Sequence, residues 1–155
     1  MRAKLLCVLA LAAAATVGAA SGQQASQVGS EPMRLARDLS LSAPRPVFAV
    51  IGNHLLSAEL KPDAPLTALV DARQPTFSCA PSQRGRRGAE IMLSCSDGSS
   101  ALVKLDDTGC GRSQGEKASM CIGLAPKIAV RRLTAPAGHK LRIDGEKLVL
   151  EPSGG

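Results

Sequence analysis

The chain has no tryptophan and no tyrosine, and Phe48 and Phe77 are its only aromatics in 155 residues. Single-stranded nucleic acid is gripped by stacking bases on aromatic faces, so no nucleic-acid partner is expected, and a sugar ring would find little to stack on. A core without rings must be filled with Val, Leu, Ile, Met and Ala. Histidine is almost as scarce: only His54 and His139 are present. No Cys-x-x-Cys pair occurs, and zinc sites draw on closely spaced ligands, so neither a metal nor another cofactor is expected. Neither histidine stands beside a serine or cysteine in a nucleophile motif, and both read as surface residues. Asp97, Asp106 and Asp107 lack the spacing of a calcium loop and read as turn residues. A long helical period is also missing.

The N-terminus is distinctive. Arg2 and Lys4 precede an apolar run from Leu5 to Ala15, followed by the small residues Gly18, Ala19 and Ala20. That order describes a secretory signal peptide over residues 1–20, and the run is shorter than the roughly 20 residues a membrane span needs. No later stretch is long and apolar enough to cross as a helix, so a mature chain without a transmembrane span, periplasmic or secreted, is expected. Loss of Arg2 and Lys4 lowers the formal charge of +6 by two. The remainder is modestly basic, which favours anionic surfaces. Cys7 leaves with the leader. Cys79, Cys95, Cys110 and Cys121 remain, and an even count in an exported chain reads as a disulfide framework.

Residues 21–46 are small and polar and read as a flexible tether, with room for a short amphipathic helix from Met33 to Leu39 before Pro44 and Pro46. From residue 47 to 152 the pattern alternates with period two. Gly52-Asn53 is a two-residue hairpin signal that sets Ile51 opposite His54, Ala49 opposite Leu56 and Val47 opposite Ala58. Further strands are expected over 66–70 and 75–79. Ile91, Leu93 and Cys95 should share one face, as should Ala101, Val103 and Leu105. "KIAVRRL" is a candidate strand in which one of Arg131 and Arg132 faces solvent. Asp144-Gly145 predicts a hairpin pairing Leu141 with Leu148, with Ile143 and Leu150 on the same face. Turn signals recur about every ten residues, which argues for an all-β antiparallel meander forming a small sandwich or barrel.

Strand register also bears on the cysteines. A hairpin centred on Arg86-Arg87 sets Cys79 opposite Cys95, and one around the segment after Arg112 sets Cys110 opposite Cys121. Directly opposed strand positions bring β-carbons to disulfide distance, which favours this sequential pairing over the other two connectivities. Each staple would stabilise by roughly 3 kcal/mol through loop entropy.

Two short segments carry resemblances. "LSCSDGSSALVKLDDTGCGRS" with "CIG" downstream, Leu93 to Gly123, is similar to small exported proteobacterial disulfide-containing β-proteins of unknown function; the resemblance implies an exported β-meander and transfers no catalytic residue. Within it, Asp107-Thr108-Gly109 after the alternating "ALVKLD" resembles the catalytic turn of retropepsin-like aspartic proteases, and "AVIGNHLL" is similar to the apolar-glycine segment of that family. The resemblance implies a dimeric protease with Asp107 as its catalytic carboxylate. Here the apolar-glycine segment precedes the turn rather than follows it, Asp106 replaces an apolar residue, and Cys110 stands where the family prefers Ala or Ser.

"SQRGRRGAE" places Arg84, Arg86 and Arg87 among glycines. Such a loop reads as a solvated hairpin tip, or as a contact for carboxylate or phosphate groups, or as the bait of a secreted inhibitor. Taken together the residues point to a non-catalytic binding or structural module of the envelope or extracellular space, with an anionic envelope component or a protein as partner. The aspartic protease using Asp107 and the inhibitor presenting the Arg84–Arg87 loop are the alternatives.

Overall fold

A computed structural model describes residues 31–32, 43–84 and 90–154 of the chain. The expected signal peptide, the helix over 33–39 and the loop arginines Arg86 and Arg87 lie outside the described residues. Two of the residues expected in the tether, Glu31–Pro32, form a short strand, β1.

Eight further strands make a closed antiparallel barrel. They are β2 (Arg45–Ile51), β3 (His54–Leu60), β4 (Leu69–Asp71), β5 (Ser78–Arg84), β6 (Glu90–Cys95), β7 (Ser100–Leu105), β8 (Cys110–Ser113) and β9 (Ala118–Ile122). Each pairs with its successor, and β9 closes the ring against β2. β1 adds to β5 through Glu31 opposite Gln83. The expected meander is therefore a barrel rather than a sandwich, with no open edge among its eight strands.

The interior follows from the period of two. Val47, Leu56, Leu60, Leu69, Ile91, Leu93, Val103 and Met120 all point inward and are fully buried. Eight strands enclose a space that side chains just fill, and aliphatic residues fill it here without rings. The first hairpin has the expected register, Val47 opposite Ala58 through Ile51 opposite His54. Gly52, at φ 54°, is the first turn residue and takes the positive φ that a side chain resists.

β2 is apolar on both faces because both are covered. Its outward residues Phe48 and Val50 join Cys110, Cys121, Ala129, Leu133 and Leu148 in a second core. This outer core is roofed by α1 (Pro126–Ala129) and a hairpin of β10 (His139–Asp144) and β11 (Lys147–Pro152). The two disulfides divide between the cores: Cys79–Cys95 lies in the barrel core and Cys110–Cys121 in the outer one. Both join directly opposed residues, as register predicted.

Four expectations about elements need correction. "KIAVRRL" is not a strand: Pro126 opens α1, where its missing N–H and fixed φ cost nothing, and Ala129 and Leu133, four apart, bury one side of the helix and its following turn. Arg131 and Arg132 are both exposed in that turn. In the last hairpin Ile143 faces Leu148 and Leu141 faces Leu150. The turn sits on Gly145-Glu146 because Gly145, at φ 60°, takes its first position, so each partner shifts by two residues and the apolar face is kept. The strands expected over 66–70 and 75–79 are displaced to Leu69–Asp71 and Ser78–Arg84. Pro65 and Pro75, lacking a donor, stand outside them. The barrel begins at Arg45 rather than residue 47.

Candidate functional site

On β4 the period of two puts Leu69 and Asp71 on the same inward face. Leu69 enters the core, but Asp71 ends the strand at the barrel mouth with 4% of its surface exposed. A carboxylate so buried is costly unless hydrogen-bonded. Asp71 accepts three bonds: from Nδ1 of His54 at 2.8 Å, the backbone N–H of Arg73 at 2.8 Å and that of Gln74 at 3.3 Å. The chain turns back after β4 to supply two of them, as an Asp at a turn commonly arranges.

His54 is the first residue of β3, directly after the Gly52-Asn53 turn. Its ring stacks on Phe77 with centroids 3.6 Å apart and planes 12° from parallel. Because an ionised carboxylate can only accept, Nδ1 must carry the proton. In the neutral ring Nε2 is then left with its lone pair, and it becomes a donor only on protonation. The His54 side chain is 26% exposed, held from one edge and open at the other.

Two clefts meet at this ring. The larger, about 550 Å³, covers the mouth between Phe77, Asp97, Ser99, Lys117 and Thr134. Thr134 Oγ1 is buried there without a hydrogen-bond partner. Asp97 stands at its rim, its carboxyl held below the usual range by hydrogen bonds from the hydroxyl and N–H of Ser99. The smaller, about 300 Å³, lies on the other flank among Asn53, Arg73, Gln74 and His139. Both histidines of the chain thus line one polar pocket, although they begin strands of different hairpins. Sequence reasoning placed both on the surface and did not single out Asp71. The available signal was its parity with Leu69, which puts a carboxylate on an apolar face.

The residues singled out in the sequence lie elsewhere. Asp107 is exposed in the β7–β8 turn. That turn is closed by Asp106, whose Oδ1 accepts from the N–H and hydroxyl of Thr108 and the N–H of Cys110. Gly109, at φ 79°, completes it, and Cys110 anchors it to Cys121. "LDDTGCG" is a stapled turn. Arg84 ends β5 opposite Glu90, leading into the arginine loop outside the described residues. Among the described residues no three His, Cys, Asp or Glu side chains gather as a metal site. Nor is any helix long and apolar enough to cross a membrane.

No protein-family model, curated protein or solved structure matches the chain.

Proposed function

We propose that the protein is an exported, non-catalytic binding module that takes its ligand at the barrel mouth around His54, acting in the periplasm or outside the cell on an anionic envelope component. One observation carries the reading: a buried carboxylate with three donors fixes an imidazole where two clefts meet. Such preorganisation suits recognition, since the ligand need not order the site. Among the described residues no hydroxyl or thiol is hydrogen-bonded to that imidazole, which favours binding over nucleophilic chemistry. Two disulfides fit an oxidising, exported environment.

The test uses the mature protein, immobilised with its disulfides intact and exposed to an envelope extract. Bound molecules would be identified by mass spectrometry for wild type, His54→Gln and a loop variant with Arg86 and Arg87 both changed to Ser. A ligand retained by wild type and the loop variant but lost in His54→Gln supports the mouth. A ligand lost only in the loop variant moves the site to the arginines and overturns the reading.

A further inference from the structure

The polar pocket beside His54 does not end at its own walls. Leu55, Asp71, Arg73 and Leu150 line it and also line an adjoining slot of about 310 Å³. This slot runs between the outer wall of the barrel and β11, and Phe48, Leu55, Leu148 and Leu150 give it an apolar lining. Arg73 stands where the two meet, its Nη1 donating to the Leu150 carbonyl at 2.7 Å.

The chemistry of the polar end follows from its anchored rings. His139 Nδ1 lies 3.1 Å from the Ala137 carbonyl, which can only accept, so this ring also carries its proton on Nδ1. In both histidines Nε2 is left out of these bonds, and in a protonated ring it donates. Arg73 adds a permanent positive charge. Asp71, the acid of this pocket, already accepts from His54, Arg73 and Gln74. Asp97, Glu116 and Lys117 line the larger cleft on the opposite flank of His54.

We infer that this continuous depression is a binding site for a free aliphatic carboxylate, its head between His54, His139 and Arg73 and its chain in the slot toward Phe48 and Leu148. This rests on the proposed role of the barrel mouth and narrows it to one ligand class. Charge complementarity selects the head and the apolar slot selects the tail. Each buried methylene should tighten binding about fourfold, from roughly 0.8 kcal/mol per CH₂.

The experiment is titration of the mature, disulfide-intact protein with acetate, octanoate and decanoate at one pH, followed by calorimetry and by the ring nitrogens of both histidines in NMR. Decanoate is expected to bind about fifteenfold more tightly than octanoate, shifting both rings. His139→Gln should weaken decanoate several-fold. Ser57→Phe, a substitution at an exposed residue lining the slot, should remove the chain-length dependence. Equal affinity for acetate and decanoate would overturn the inference, as would zinc ions moving both rings where decanoate moves neither. Binding to anionic phospholipid vesicles without binding to decanoate would also overturn it. If decanoate fails while the extract ligand is still lost in His54→Gln, the ligand class falls and the proposed mouth site stands.

Discussion

His54 Nδ1 and a carboxylate oxygen of Asp71 lie 2.8 Å apart across 17 residues of sequence. The pair joins the first residue of β3 to the last of β4, so it closes the barrel mouth as well as orienting a ring. Asp71→Asn removes the charge from all three bonds that end on this carboxylate. A hydrogen bond to a charged group contributes about 1.5–3 kcal/mol, and a loss of that order is expected. With two phenylalanines as the only aromatics, circular dichroism in urea is the suitable probe. The midpoint should fall with the slope unchanged; an unmoved midpoint would show that the carboxylate's charge contributes nothing at the mouth.

Much of the fold could be read from local chemistry. Gly52-Asn53 pins the first hairpin, and the parity of Cys79 with Cys95 and of Cys110 with Cys121 pins two more pairings. The reading failed where local signals were ambiguous. "KIAVRRL" suits a strand or a helical turn, and Pro126 with tertiary burial of Ala129 decides for the turn. The site was far less legible. His54 meets Asp71 only once β3 pairs with β4, and His139 reaches the same pocket only when the last hairpin folds over the outer core. No local pattern encodes either meeting.

In "LDDTGCG" the two aspartates should behave differently. Asp106 is exposed, yet its carboxyl is held below its ordinary value of 3.8 by the hydroxyl and N–H of Thr108 and, more weakly, by the N–H of Cys110. A depressed folded value means that its contribution to stability is present above the ordinary carboxylate range and lost as pH falls through the depressed one. Asp106→Asn should therefore lower the urea midpoint near neutral pH, and the gap from wild type should close in strong acid. A gap of constant size from pH 7 to pH 2.5 would contradict this. Asp107→Asn, in the exposed half of the turn, should leave the midpoint within error. The same variant tests the protease alternative: peptide cleavage near pH 4–5 by wild type and not by Asp107→Asn would replace the binding reading with a catalytic one.

The two staples should stabilise by similar amounts despite lying in different cores. Their closed loops span 16 and 11 residues, and loop entropy varies with the logarithm of length. Changing either pair to alanine should cost about 3 kcal/mol, with a few tenths between them. A peptide map of the unreduced protein should show Cys79 joined to Cys95 and Cys110 to Cys121. Any other pairing would undo the barrel register.

Gly111 should be among the least replaceable residues outside the turns. Its backbone on β8 lies so close to β7 that a β-carbon there would run into the carbonyl of Lys104 and crowd the α-carbon of Leu105. These are backbone atoms of the neighbouring strand, so no rotamer change relieves the clash, and β7 and β8 would have to part. Overpacking of this kind costs typically 1–3 kcal/mol, and for Gly111→Ala the upper end is expected, because Cys110–Cys121 holds β8 against β9 and limits its retreat. Gly98 is the contrast: it has open space but a φ of 85°, so Gly98→Ala costs turn strain, on the order of 1 kcal/mol. Urea titrations of both variants would decide. A smaller loss for Gly111→Ala than for Gly98→Ala would mean that the β7–β8 approach is looser than its geometry requires.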